Sequence, residues 1–158
     1  MSEANVPGLA VIGIGNPMMG DDGIGPRLIS ELKASELAVD LIDMGTGGMQ
    51  LVHLLAEYHS VVIIDSADMG LSPGESMVFP PEEVVSLRET RAYSLHDWDF
   101  LRSIKISREL GEGPERILII AIQPGSLDMR YGLSPEVERR IPGYIEAAMR
   151  AIDALSGP

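Results

Sequence analysis

Two adjacent carboxylates, Asp21 and Asp22, lie in the glycine-rich run Gly13-Ile14-Gly15-Asn16-Pro17-Met18-Met19-Gly20-Asp21-Asp22-Gly23-Ile24-Gly25-Pro26. Two more aspartates, Asp43 and Asp65, each close a short apolar stretch, Val39–Ile42 and Val61–Ile64. Gathered at one place, carboxylates can ligate a cation or act as a general base toward water. An aspartate after a strand is by itself an ordinary turn or N-cap residue. Several together are costly unless a cation or partner offsets their charge, so the recurrence outweighs any single position.

A nitrogen ligand has few sources, because the chain has 3 histidines. His53 falls among leucines in a helix-like run and His59 in that run's terminal turn, where packing and the helix C-terminus account for them. His96, in Tyr93-Ser94-Leu95-His96-Asp97-Trp98, has no comparable packing role. Two aspartates and one histidine form an open oxygen and nitrogen site acceptable to zinc, nickel or manganese. With 0 cysteines, thiol catalysis and thiolate metal sites are excluded. No G-x-S-x-G or H-E-x-x-H occurs, so serine-elbow and zincin chemistry lack their parts.

The elements that must position these residues alternate between strand and helix. Gly8–Ile12 reads as a short strand, and Ile24, Leu28 and Leu32 recur at helical spacing after it. The glycine-rich run thus joins a strand to a helix, where α/β proteins place their sites. Gly13 and Gly15 begin a dinucleotide fingerprint, but Met18 occupies the third glycine's place. Asp21 and Asp22 would also repel a pyrophosphate. Val39–Ile42 and Val61–Ile64 are further strands, the latter with the unbroken apolar run of a covered parallel sheet.

Met49–Tyr58 is expected to be helical with Leu51, Leu54 and Leu55 on one face, and Ser76–Phe79 an added edge strand. The polar stretch from Pro80 to Arg91 reads as a mobile loop with a turn of helix. A helix from Trp98 to Leu110 presents Leu101, Ile104 and Leu110, and Ile117–Ile122 is another strand. Ser134 and Pro135 carry the N-cap and N1 signals of a last helix to about Leu155, kinked at Pro142-Gly143.

Composition bounds the rest. The 158 residues, 45% hydrophobic and 23% charged, suit a single domain spanning 1–158. A net charge of −12 disfavours nucleic acid and anionic membranes as partners and suits a basic peptide or a metal cation. No long apolar span or charged-then-apolar leader is visible, so a cytoplasmic protein is expected.

The run Gly13 to Pro26, followed by Asp43-x-Gly45-Thr46, Ile64-Asp65-Ser66-Ala67-Asp68-Met69-Gly70-Leu71-Ser72-Pro73-Gly74-Glu75, His96 and Ile122-Gln123-Pro124, resembles the successive motifs of the hydrogenase maturation endopeptidases. Order, spacing and length agree from about Leu9 to the last helix. The resemblance implies an α/β fold, a twisted, mostly parallel five-stranded sheet sandwiched between helices. It implies an endopeptidase that removes the C-terminal extension of a nickel-iron hydrogenase large-subunit precursor after nickel insertion. The metal ligands carried over are Asp22, Asp65 and His96, with Asp22 and Asp65 also the catalytic carboxylates of an aspartic-type or metal-assisted hydrolysis. Nickel arrives with the substrate, and zinc or cadmium can stand in for it.

Asp43, Gly45 and Thr46 are expected to bind the substrate, Asp21 to support the ligands or hold the tail, and Asp68 to serve a turn. Met44 departs from the Asp-Gly-Gly-Thr of many relatives, and Asp22 from the Glu of some. A nickel-binding accessory module that cuts nothing is the alternative.

Overall fold

The computed structural model describes residues 8–83 and 99–157. In chain order the strands are β1 (Leu9–Gly13), β2 (Asp40–Asp43), β3 (Ser60–Ser66), β4 (Ser76–Phe79) and β5 (Arg116–Ile122). The helices are α1 (Ile24–Lys33), α2 (Met49–Leu55), α3 (Asp99–Glu109), α4 (Pro135–Glu138) and α5 (Ile141–Ser156). The strands form one sheet in the order β2-β1-β3-β5-β4. β1 is parallel to β2 and β3, β3 is parallel to β5, and β4 runs antiparallel to β5 at the edge. The mostly parallel α/β sheet expected from the sequence is therefore present.

Strand alternation divides the core in two. Val11, Val62, Ile64, Ile120 and Ile122 face α1 and α5, meeting Leu28, Leu32, Tyr144 and Ala148. Ala10, Ile12, Val61, Ile63 and Ile119 face α2 and α3, meeting Leu51, Leu55, Phe100 and Ile104. Both faces are covered, which is why β3 is buried from end to end. Burying a Leu or Ile side chain contributes roughly 1.5–3 kcal/mol, so these two layers hold the sheet's strand ends in place.

The strand order also fixes where a crevice opens. From β1 the chain goes to one side for β2 and to the other for β3, so the direction of winding reverses between β1 and β3. Helices on opposite faces leave a gap beyond the carboxyl ends of those two strands.

Several local expectations are corrected. His53 is exposed, on the outer side of α2, while Val52 joins Leu51 and Leu55 inside. A face buried at i, i+1 and i+4 leaves the position between them pointing to solvent. On α3 the buried residues are Phe100, Ser103, Ile104 and Ser107, whereas Leu110, beyond the helix end, is 58% exposed. The last helix is two helices, interrupted at Arg139 and Arg140. Pro142 opens α5 instead of kinking it, in the first turn where a missing N–H costs nothing. The expectations for Val84 to Arg91, for Trp98 and for His96 lie outside the described residues.

Candidate active site

The segment leaving β1 is shaped by backbone contacts that require glycine. Ile14 N–H donates to the Ile64 carbonyl at 2.9 Å and Gly15 N–H to the Gly45 carbonyl at 2.7 Å, so the segment runs between the ends of β3 and β2. A Cβ on Gly15 would lie 1.8 Å from the Asp22 carbonyl oxygen. One on Gly25 would lie 2.3 Å from the Ile14 oxygen and 2.8 Å from that of Ile64. The glycines thus let α1 press directly on the sheet, and a 3-10 turn, Gly20–Gly23, forms at the junction. That turn carries both aspartates.

Asp22, half-buried, accepts a hydrogen bond from Asn16 N–H on Oδ2 at 2.8 Å and from the Ser66 hydroxyl on Oδ1 at 3.0 Å. Asp65 lies within β3, 8% exposed, and its Oδ1 accepts the Ser66 N–H at 2.8 Å. Ser66 therefore addresses both carboxylates, one through its hydroxyl and one through its backbone, at the reversal point between β1 and β3. Asp22 accepts one hydrogen bond on each oxygen, and a carboxylate oxygen has two lone pairs, as a metal ligand or a proton acceptor needs. Among the described residues, no group of three or more His, Asp or Glu could hold a metal ion. The third expected ligand, His96, lies outside them.

Asp21 points the other way. It is 0% exposed, and its carboxylate accepts from Gly125 N–H at 2.7 Å, Ser126 N–H at 3.0 Å, Ser134 N–H at 2.7 Å and the Ser134 hydroxyl at 2.7 Å. Four donors satisfy a buried charge that would otherwise be prohibitive. The expected tail-binding role is therefore ruled out for Asp21. Ser134 also departs from expectation, for it sits at the start of α4 without a side-chain cap, its hydroxyl being spent on Asp21.

Asp43, Gly45 and Thr46 lie at the end of β2 and in the turn after it. Asp43 is exposed and accepts Gly45 N–H at 3.0 Å, an Asx turn. Gly45 has φ +61 and nothing near its Cβ position, and Thr46 is exposed, so this turn stands open at the surface. Met44 is partly buried against the α2/α3 core. Asp68 is a turn residue, accepting Gly70 N–H at 3.1 Å and the Gln123 amide at 3.1 Å. Gln123, buried, also accepts Met69 N–H at 2.6 Å and Leu71 N–H at 3.2 Å, and so sets the loop after β3. His59 pairs with Glu115 at 3.3 Å, far down at the amino end of β3.

The sequence assigns Ser66 and Gln123 no role of their own and Ser134 only that of an N-cap, whereas each of the three bonds an aspartate of this region. Ser66 and Gln123 stood inside quoted motifs, adjacent to an aspartate and a proline, but a serine or glutamine there carries no periodic signal of its own.

The model of a family described as HycI, hydrogenase maturation protease, matches residues 26–151. The chain belongs to this family of hydrogenase maturation proteases. It is 35% identical over 150 residues to the hydrogenase expression/formation protein HupD of Rhizobium leguminosarum bv. viciae, covering 92% of this chain and 74% of that protein. Against the hydrogenase 2 maturation protease of Escherichia coli K12 the identity is 30% over 148 residues, covering 91% and 90%. The solved structure of the hydrogenase maturating endopeptidase HybD from E. coli aligns with a TM-score of 0.79 at 29% identity, over 92% of each chain. Among the described residues, no helix is long and apolar enough to cross a membrane.

Proposed function

We propose that this hydrogenase maturation protease removes the C-terminal extension of a nickel-iron hydrogenase large-subunit precursor in the cytoplasm, after nickel has been inserted. Asp22, Asp65 and His96 grip the nickel that the substrate carries. The observation that carries this reading is Ser66 holding Asp22 and Asp65 together at the reversal point of the sheet. Oxygen ligands from two carboxylates and a ring nitrogen suit a borderline cation, and a site without thiolates can bind it transiently instead of retaining it. Asp43, Gly45 and Thr46, on the open turn beside the crevice, receive the extended tail.

Hydrolysis then needs a water molecule and somewhere for its proton to go. Water adds to the scissile carbonyl, a carboxylate of the site takes its proton, and the C–N bond breaks as the amine is protonated. Asp22 and Asp65 each offer two oxygens, so that one can ligate while the other accepts the proton. Recognition through nickel makes cleavage conditional on a completed metal centre.

The test is to incubate the protein with nickel-loaded and nickel-free precursor and weigh the products. Loss of the extension's mass from the loaded form alone is expected. Equal cutting of both forms overturns nickel sensing, and stoichiometric binding without any change in mass overturns cleavage in favour of an accessory module.

A further inference from the structure

We propose that Asp21 is a positioning residue for Asp22: its buried carboxylate straps the turn Gly20–Gly23 to the segment 125–134 and thereby sets the direction in which Asp22 offers its oxygens. The inference rests on the reading of Asp22 as a working carboxylate of the site.

The two aspartates are consecutive in one 3-10 turn, where successive side chains project about 120° apart. Orienting one of them orients the other. Asp21 spends its oxygens on Gly125, Ser126 and Ser134, more than a hundred residues downstream, while Asp22 turns to Asn16 and Ser66. Backbone bonds run alongside the strap, from Gly20 N–H to the Arg130 carbonyl at 2.9 Å and from Asp21 N–H to that of Ser126 at 2.8 Å. A Cβ on Gly20 would sit 2.6 Å from the Ser126 oxygen, so the two segments touch through their main chains.

All of the carboxylate's partners are donors, which calls for a group that only accepts. An asparagine would accept at one oxygen and turn its NH2 against N–H groups. The turn would stay joined to α1 and, through its backbone bonds, to Ser126 and Arg130, but without the side-chain strap it would pivot about those bonds. Asp22 would keep its place in the chain and lose its aim. Misplacement of that kind slows the chemical step without removing the surfaces that bind the precursor.

The experiment measures processing of nickel-loaded precursor by Asp21→Asn, Ser134→Ala and Ser134→Thr, with Asp22→Asn as control and melting temperature recorded for each. Asp21→Asn is expected to lower kcat per folded molecule by about 10- to 100-fold with KM within about twofold of wild type. Ser134→Ala, which deletes one of the four bonds, is expected to lower kcat about threefold, and Ser134→Thr, which keeps the hydroxyl, to restore it. If Asp21→Asn does not fold, the serine pair decides alone. Wild-type kcat in Ser134→Ala, or in a folded Asp21→Asn, overturns the strap, as does a rise in KM at unchanged kcat, which would assign the segment to docking. Full activity in Asp22→Asn would instead overturn the reading of the site itself.

Discussion

The carboxyl ends of β2 and β3 both present an aspartate, and the two differ in nearly every physical respect. Asp65, near the end of β3, is buried, bonded to Ser66 N–H, and shares that serine with Asp22. Asp43, at the end of β2, is exposed and folds back on Gly45 N–H two residues on. The strands stand on either side of β1, with Asp43 in register with Gly13 and Ile64 in register with the same glycine. What separates them is position in the sheet. β2 is an edge strand with intermediate burial, whereas β3 is flanked on both sides and covered on both faces. A carboxylate at an interior strand end can be oriented by fixed donors, and one at an edge can move to meet a substrate.

The sharpest way to break this comparison is to neutralise the interior pair. Asp22→Asn and Asp65→Asn are each expected to cut processing of nickel-loaded precursor by at least about 100-fold while costing only about 1 kcal/mol of stability, since the sheet and its cores are untouched. Retained activity in either variant, in a mass-spectrometric time course, would place the chemistry elsewhere. The site's support is vulnerable in the opposite sense. Gly25→Ala drives a Cβ into the main-chain oxygens of Ile14 and Ile64, atoms that cannot step aside without lifting α1 from the sheet. Its expected cost is about 3 kcal/mol in denaturant unfolding, and an unchanged midpoint would show that the junction is looser than described.

At the edge the effects are smaller. Asp43→Ala is expected to cost less than about 1 kcal/mol and to raise KM for the precursor several-fold with kcat held, because on the proposed function it loosens a turn that meets the tail and not the reacting atoms. A fall in kcat without a change in KM would move Asp43 into the chemistry and erase the distinction drawn between the two strand ends. His53→Ala, on the exposed side of α2, serves as the baseline and is expected to alter neither stability nor processing; a melting-temperature drop would restore the packing role that the helix's burial pattern denies it.

Much of this molecule was legible because its signals are local. Four apolar residues at Val61–Ile64 specify a covered strand, Ile24, Leu28 and Leu32 specify one face of α1, and the glycines between Gly13 and Gly25 mark a close approach of backbone to backbone. Each of these can be read within a window of a dozen residues, because side-chain period and turn chemistry act over that distance. The motif order carried the family for the same reason.

What tertiary structure alone decided is the division of labour between neighbours. Asp21 and Asp22 are identical in kind and adjacent in sequence, yet one is a buried strap and the other a half-buried candidate ligand, because the partners that distinguish them are Ser134, 113 residues away from Asp21, and Ser66, 44 residues away from Asp22. His53 was placed outside by the way α2 lies on the sheet, and the last helix was divided at Arg139 and Arg140 although Ser134 and Pro135 announced only one start. A hydrogen bond depends on which atoms the strand order brings within about 3 Å, and strand order is a property of the folded chain that no window of sequence contains.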